Sequence, residues 1–198
     1  MMVIDLEAPG VEIRPLREAS GGEVFCEVFF DDVFVPDDDV VGPVDGGWKL
    51  ARSTLGNERV SIGSGSGVGE GGFDLLDIVH RYAPGDSAAW EAVGRLLSER
   101  RAMHLLNLRS AERAVAGAEP GPEGNVAKLL SGEHLQAQAA LALRLLGPVG
   151  ALADGPDAGV QATEIFARCL TIAGGTSEIV RSTIGERLLG LPRDPLLR

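Results

Sequence analysis

Beyond Gly42 the apolar residues recur three and four positions apart almost to the end of the chain, a spacing that only α-helices place on one face. Ala, Leu, Glu and Arg dominate this stretch, and three Gly/Pro breaks punctuate it: APGD at Ala83 to Asp86, EPGP at Glu119 to Pro122 and DGPD at Asp154 to Asp157. Such breaks stop helices. The spacing predicts helices at about 46–80, 87–117, 123–146, 159–172 and 177–190, the pattern of an antiparallel four-helix-type bundle. Before Gly42 the text differs. EVFCEVFFDDVFVP is aromatic and β-branched, and Met2 to Asp5, Val11 to Pro15 and Glu23 to Val35 read as two or three strands. So few strands cannot cover both faces of a sheet, and a small isolated sheet is marginal in water. The expected organisation is therefore mainly α, with residues 1–42 the remnant of a truncated β-domain and 43–198 a helical-bundle domain.

A chain of 198 residues can bury a sizeable core. Its formal net charge of −11 argues against binding nucleic acid or an anionic membrane, since phosphates would repel it. The two cysteines, Cys26 and Cys169, lie far apart and without partners at metal spacing, so a disulfide scaffold or zinc site lacks support and a cytoplasmic location is expected. The most apolar region, Leu135 to Ala153, is interrupted by Arg144 and Pro148, and no charged and apolar leader opens the chain. No membrane span and no secretion are expected.

Several stretches can be weighed for chemistry. Ala51, Leu55, Glu58 and Ile62 follow the helical period, so a carboxylate interrupts an apolar stripe. A carboxylate shielded from water is basic enough to take a proton from carbon; the other reading of Glu58 is an ordinary ion pair or a bundle-edge residue. Gly67, Gly69 and Gly72 match a dinucleotide-binding spacing, but no strand precedes them, and close helix contact explains them better. Arg95, Arg100, Arg101, Arg109 and Arg113 form a local basic excess that suits either phosphate or a solvated helix face. The three histidines share no ligand spacing, and Trp48, after Gly46 and Gly47 at a helix start, is expected in the core. Finally, TIAGGTSEIVR sets two glycines and then Thr176, Ser177 and Glu178 directly before a helical pattern. A helix start offers free N–H groups and the positive end of the dipole, and Thr176 or Ser177 can cap it. The stretch is either a capped turn or a seat for an anion or a polar cofactor edge.

Two long stretches, VFFDDVFVPDDDVVGPVDGGWKLARSTLGNER (Val28 to Arg59) and ARCLTIAGGTSEIVRSTIGERLLGLPR (Ala167 to Arg193), closely resemble the acyl-CoA dehydrogenase family. The first resembles the passage from the family's middle β-domain into its C-terminal helical domain, the second its closing flavin-site turn and last helix. With GVEIRPL before them and LLGPVG between them, the resemblance spans nearly the whole chain, while the family's N-terminal helical domain and most of its β-domain have no counterpart here.

The resemblance implies FAD-dependent α,β-dehydrogenation of an acyl-CoA thioester, with electrons passed to an electron-transfer flavoprotein. It implies cofactor contacts at Gly175, Thr176 and Glu178 and at Gly147 in RLLGPVG, and substrate-side contacts at Asn57 and Arg59. In many members the base immediately precedes the Gly-Thr of the terminal turn, where this chain has Gly174; in members resembling isovaleryl-CoA dehydrogenase it lies on the first bundle helix before an arginine, which here is Glu58. Arg144 and Pro148 depart from the family's Gln-x-x-Gly-Gly-x-Gly pattern, and FDLLDIVHRYAPGD replaces the Arg-x-x-Phe-Gly motif that serves a neighbouring subunit's FAD. These departures resemble dehydrogenases built from unlike subunits, some acting on steroid side chains. A homo- or hetero-oligomer, dimer or tetramer, is expected. The competing expectation is a non-catalytic chain that completes a neighbour's FAD site; nothing in the sequence separates a dehydrogenase from an oxidase.

Overall fold

The computed structural model describes residues 1–63, 72–118, 121, 123–152 and 154–193, with the side chains of 56, 57 and 59–63 outside that description. They form two units, Met1–Asn57 and Glu58–Arg198.

In the first unit β1 (Val11–Leu16) pairs antiparallel with β2 (Phe25–Phe30), Val11 opposite Phe30 and Leu16 opposite Phe25. The connection is held by the Glu18 carboxylate, which accepts the N–H groups of Val24 at 2.6 Å and Phe25 at 3.2 Å. Ile13, Leu16, Phe25, Phe29 and Phe30 are exposed, as follows for a ribbon of two strands with no covering layer of its own. The strand expected at Met2 to Asp5 is reduced to one bridge between Met2 and Val40. Asp5 explains why: its side chain accepts the Glu7 N–H and its carbonyl the Ala8 N–H, which turns the chain before a ladder can extend. The run expected from Glu23 to Val35 pairs only over Phe25–Phe30, and Asp32 beyond it takes a positive φ of 49°.

Helix α1 (Gly47–Gly63) begins in this unit. Trp48 does not enter a core, correcting the expectation: it is 74 % exposed. Its helical neighbours three and four residues on are Ala51 and Arg52, which give the indole too little apolar surface to pack against.

The second unit adds α2 (Leu75–Tyr82), α3 (Ser87–Val115), α4 (Glu123–Leu146), α5 (Ala158–Phe166) and α6 (Ser177–Arg187). The mainly α architecture is as expected, with differences at two places. The single helix expected over 46–80 is two, because Asp74 accepts the Leu76 N–H at 2.9 Å and starts α2 afresh. The glycine-rich stretch 64–71, with Gly67 and Gly69, lies outside the described residues. The helix expected over 159–172 stops at Phe166 and tightens to a 3-10 turn over Ala167–Thr171. Here Gln136 of α4 donates to the Ala167 carbonyl at 3.0 Å, tying the start of the 3-10 turn to the central helix.

Helix α4 is central, packing against α2, α3, α5 and α6. Toward its C-terminus Leu141, Ala142 and Leu146 join Ile78 and Val79 of α2, Val93 and Leu96 of α3 and Val160 of α5 in one buried apolar cluster. Each large side chain there contributes roughly 1.5–3 kcal/mol by leaving water. Beside it, Arg81 of α2 grips the buried Asp157 before α5 through both nitrogens, at 3.0 and 2.6 Å, while the Tyr82 hydroxyl donates to the same carboxylate at 2.7 Å. Arg81 holds the Asp157 carboxyl below its ordinary range, and the same contacts raise the Arg81 and Tyr82 values. Among the described residues no helix is long and apolar enough to cross a membrane.

Candidate functional site

The turn into α6 has a backbone that most residues could not adopt. Gly174 and Gly175 lie at φ of 67° and 106°, in the left-handed region where a Cβ is strained. Thr176 then returns to extended geometry as the N-cap of α6, and its hydroxyl accepts the Ile179 N–H at 3.3 Å. Glu178 folds back on the first turn. A bond to its own amide, then the Thr176 hydroxyl, then the charges of Arg181 and Lys128 hold its carboxyl below the ordinary range. Two donors remain: the backbone N–H groups of Thr176 and Ser177 have no acceptor among the described residues.

Helix α4 supplies the support. Lys128 is only 1 % exposed, and its ammonium donates to the Gly175 carbonyl at 2.5 Å. One turn on, Gly132 lets the 3-10 segment approach so closely that a Cβ would stand 3.1 Å from the Leu170 carbonyl oxygen. A further turn on, Gln136 holds the Ala167 carbonyl. Glu133 forms an ion pair with Arg181 of α6. Sequence reasoning missed this set. The signal was there: Lys128, Gly132 and Gln136, four residues apart, share one face of the helix.

The other expected residues lie elsewhere. Glu58 is exposed on α1 and Leu55 is 45 % exposed, the arrangement of a bundle-edge residue rather than of a shielded carboxylate. The stripe through Ala51, Leu55 and Glu58 is one residue wide with Arg52 beside it, narrower than the band a core-facing helix presents. The side chains of Asn57 and Arg59 are outside the described ones. Gly147 ends α4 at a φ of 56°. It is 19 residues beyond Lys128, roughly 28 Å along the helix axis, so one copy presents it far from the glycine turn. Arg95 of the basic cluster pairs with Glu91 at 2.7 Å and, with Arg144, lines an open cleft of about 470 Å³ between α3 and α4.

The second unit is thus a helical bundle around α4 that closes with a 3-10 segment, a glycine turn and a last helix. Residues 45–189 match the acyl-CoA dehydrogenase C-terminal domain, and the chain belongs to that family. It is 43% identical to Acyl-CoA dehydrogenase FadE34 of Mycobacterium tuberculosis over 96% of this chain and 26% of that protein. It is 36% identical to Acyl-CoA dehydrogenase IpdE1 of the same organism over 98% of this chain and 51% of that protein. A solved chain of the ChsE4-ChsE5 complex from Mycobacterium tuberculosis superposes with a TM-score of 0.78 at 25% identity, covering 98% of this chain and 53% of its own. The chain thus spans about a quarter to a half of the length of these relatives.

Proposed function

We propose that this chain is the C-terminal part, or one subunit, of an FAD-dependent acyl-CoA dehydrogenase working in a larger assembly in the cytoplasm and passing electrons to an electron-transfer flavoprotein. One observation carries the proposal: Thr176 and Ser177 keep two outward backbone donors at the positive end of α6, on a turn locked by glycine geometry, in a chain of this family. The turn fits the polar edge of a flavin ring, with Gly175 permitting close approach, Thr176 donating and Glu178 ordering the first helical turn. Gly147 would serve a second contact, toward another copy or partner given its separation along α4. When bound, FAD would accept the β-hydrogen as hydride. Glu58 would take the α-proton of the thioester, with Asn57 and Arg59 on the substrate side of the same helix.

The exposure of Glu58 favours dependence on a second chain, since a carboxylate open to water is a poor carbon base until something covers it. It equally supports the second reading, a non-catalytic subunit that completes a neighbour's FAD site, as does the likeness to a chain solved within a complex. Alone, the chain is expected to bind little FAD and to turn over nothing; stoichiometric FAD retained through gel filtration would overturn that. The deciding experiment is the flavin spectrum of the assembly purified through a tag on this chain, challenged with acyl-CoA thioesters including steroid side-chain types. Bleaching abolished by Glu58→Gln assigns the base here. Bleaching that survives moves the chemistry to the partner.

A further inference from the structure

We infer that Lys128 is the positioning residue of the glycine turn: by holding the Gly175 carbonyl inward it aims the Thr176 N–H outward as a donor. The inference rests on reading this turn as a cofactor contact, but its geometry stands apart from that reading. All peptide bonds among the described residues are trans, and in a trans peptide the carbonyl of one residue and the N–H of the next point in opposite directions. The Gly175 carbonyl points at a buried ammonium on α4, so the Thr176 N–H points away from α4. Gly175 on one side of this peptide is free of the limits a Cβ sets on its backbone angles, so its carbonyl needs a partner to fix its direction.

A lysine is a costly choice for this task. Burying an ammonium is unfavourable unless its donors are used, and a methionine would fill the same space without that penalty. The feature that only a cation supplies here is a strong, directed hold on a carbonyl, together with a positive charge beneath the two free donors of the first turn. The neighbouring α4 contacts do not substitute for it: Gly132 and Gln136 address Leu170 and Ala167, upstream of the glycines, and Glu133 addresses Arg181, downstream. Of these four α4 contacts, Lys128 is the one that meets the Gly175 carbonyl.

The test is residue-resolved amide hydrogen exchange on the full chain carrying Lys128→Met, with Lys128→Arg as rescue. Exchange at Gly175, Ile179 and Val180, whose amides are bonded across the turn, is expected to rise by roughly tenfold or more in the methionine variant while Ile78, Val93 and Val160 keep their protection, and to fall back in the arginine variant. Unchanged exchange at the turn, or acceleration spread evenly through α4 and the apolar cluster, overturns the inference. Should the methionine variant fail to fold, Lys128→Gln, which keeps a donor without the charge, is read by the same criteria. FAD binding by the purified assembly separates the two claims. Turn-confined exchange with roughly tenfold weaker FAD binding supports both; turn-confined exchange with unchanged FAD binding leaves Lys128 positioning the turn and removes the flavin from it.

Discussion

Helix α4 runs through two environments. At its C-terminal half Leu141, Ala142 and Leu146 meet Ile78, Val79, Val93 and Val160, all apolar and fully packed. At its N-terminal half Lys128, Gly132, Glu133 and Gln136 each address a named backbone or side-chain atom in the segment leading into α6. Hydrophobic burial is non-directional, so the first half can stabilise the unit without fixing any atom finely. Hydrogen bonds and close backbone approach are directional, so the second half fixes a turn while adding less stability. The lesson is a division of labour along one helix: one end keeps the unit folded, the other keeps a turn in shape.

The comparison is broken most directly at Ile78. Truncation to Ala should cost about 2–5 kcal/mol, from lost transfer energy and the cavity left behind. Denaturant titration of the full chain measures it. Gln136→Ala, at the other end, should cost no more than about 1 kcal/mol. Equal losses at the two sites would erase the distinction.

Asp157→Asn comes next, with an expected loss of about 1 kcal/mol, kept small because the Arg81 side chain is 37 % exposed and also meets Asp77. Its pH dependence is the sharper readout. The folded carboxyl lies below its unfolded value near 3.9, so its contribution is complete above that value and is lost as pH falls through the folded one. Stability of the native chain should therefore drop from about pH 5 downward, and the Asn variant should show a shallower drop in the same window. Parallel curves would mean that other carboxylates carry the acid sensitivity.

These contacts show what a sequence carries on its face. The ends of α3 and α4 are legible because Asp86 and the Gly147-Pro148 pair act locally, within a turn of the residues they affect. So is a cap at Thr176 or Ser177, since a hydroxyl residue before a helical run needs no distant partner, and the structure puts it at Thr176. The start of α2 was as local, at Asp74, but apolar spacing on both sides hid it. The 3-10 segment after Phe166 was not legible, because its contacts, Gln136 and Gly132, lie some thirty residues earlier. Lys128 reads as a surface cation until the fold places the Gly175 carbonyl against it. At Glu58 the helical period is visible in the sequence, but burial depends on the width of the apolar stripe, which is narrow here.

Thr176→Ala should cost roughly 0.5–1 kcal/mol by freeing the Ile179 N–H, and should leave the apolar cluster's exchange protection intact. A larger loss, of the size expected for Ile78, would make the polar end of α4 part of the folding core. That outcome would overturn the division of labour.

The smallest effect is expected at Trp48, which extends the comparison to the first unit. An indole this exposed has little left to lose, so Trp48→Ala should change stability by no more than about 0.5 kcal/mol. The chain has 2 tryptophans, which makes the point measurable by fluorescence. Trp90 is half-buried, with its N–H on the Pro84 carbonyl at 3.1 Å and the His80 ring edge-on at 4.6 Å, whereas Trp48 faces water. Acrylamide should quench the native chain steeply and the Trp48→Ala variant weakly, with unchanged unfolding midpoints. If the assembly covers the start of α1, the steep component should vanish when the chain is bound to its partners. A Trp48 still freely quenched in the assembly would leave the start of α1 in water, as it is in the isolated chain.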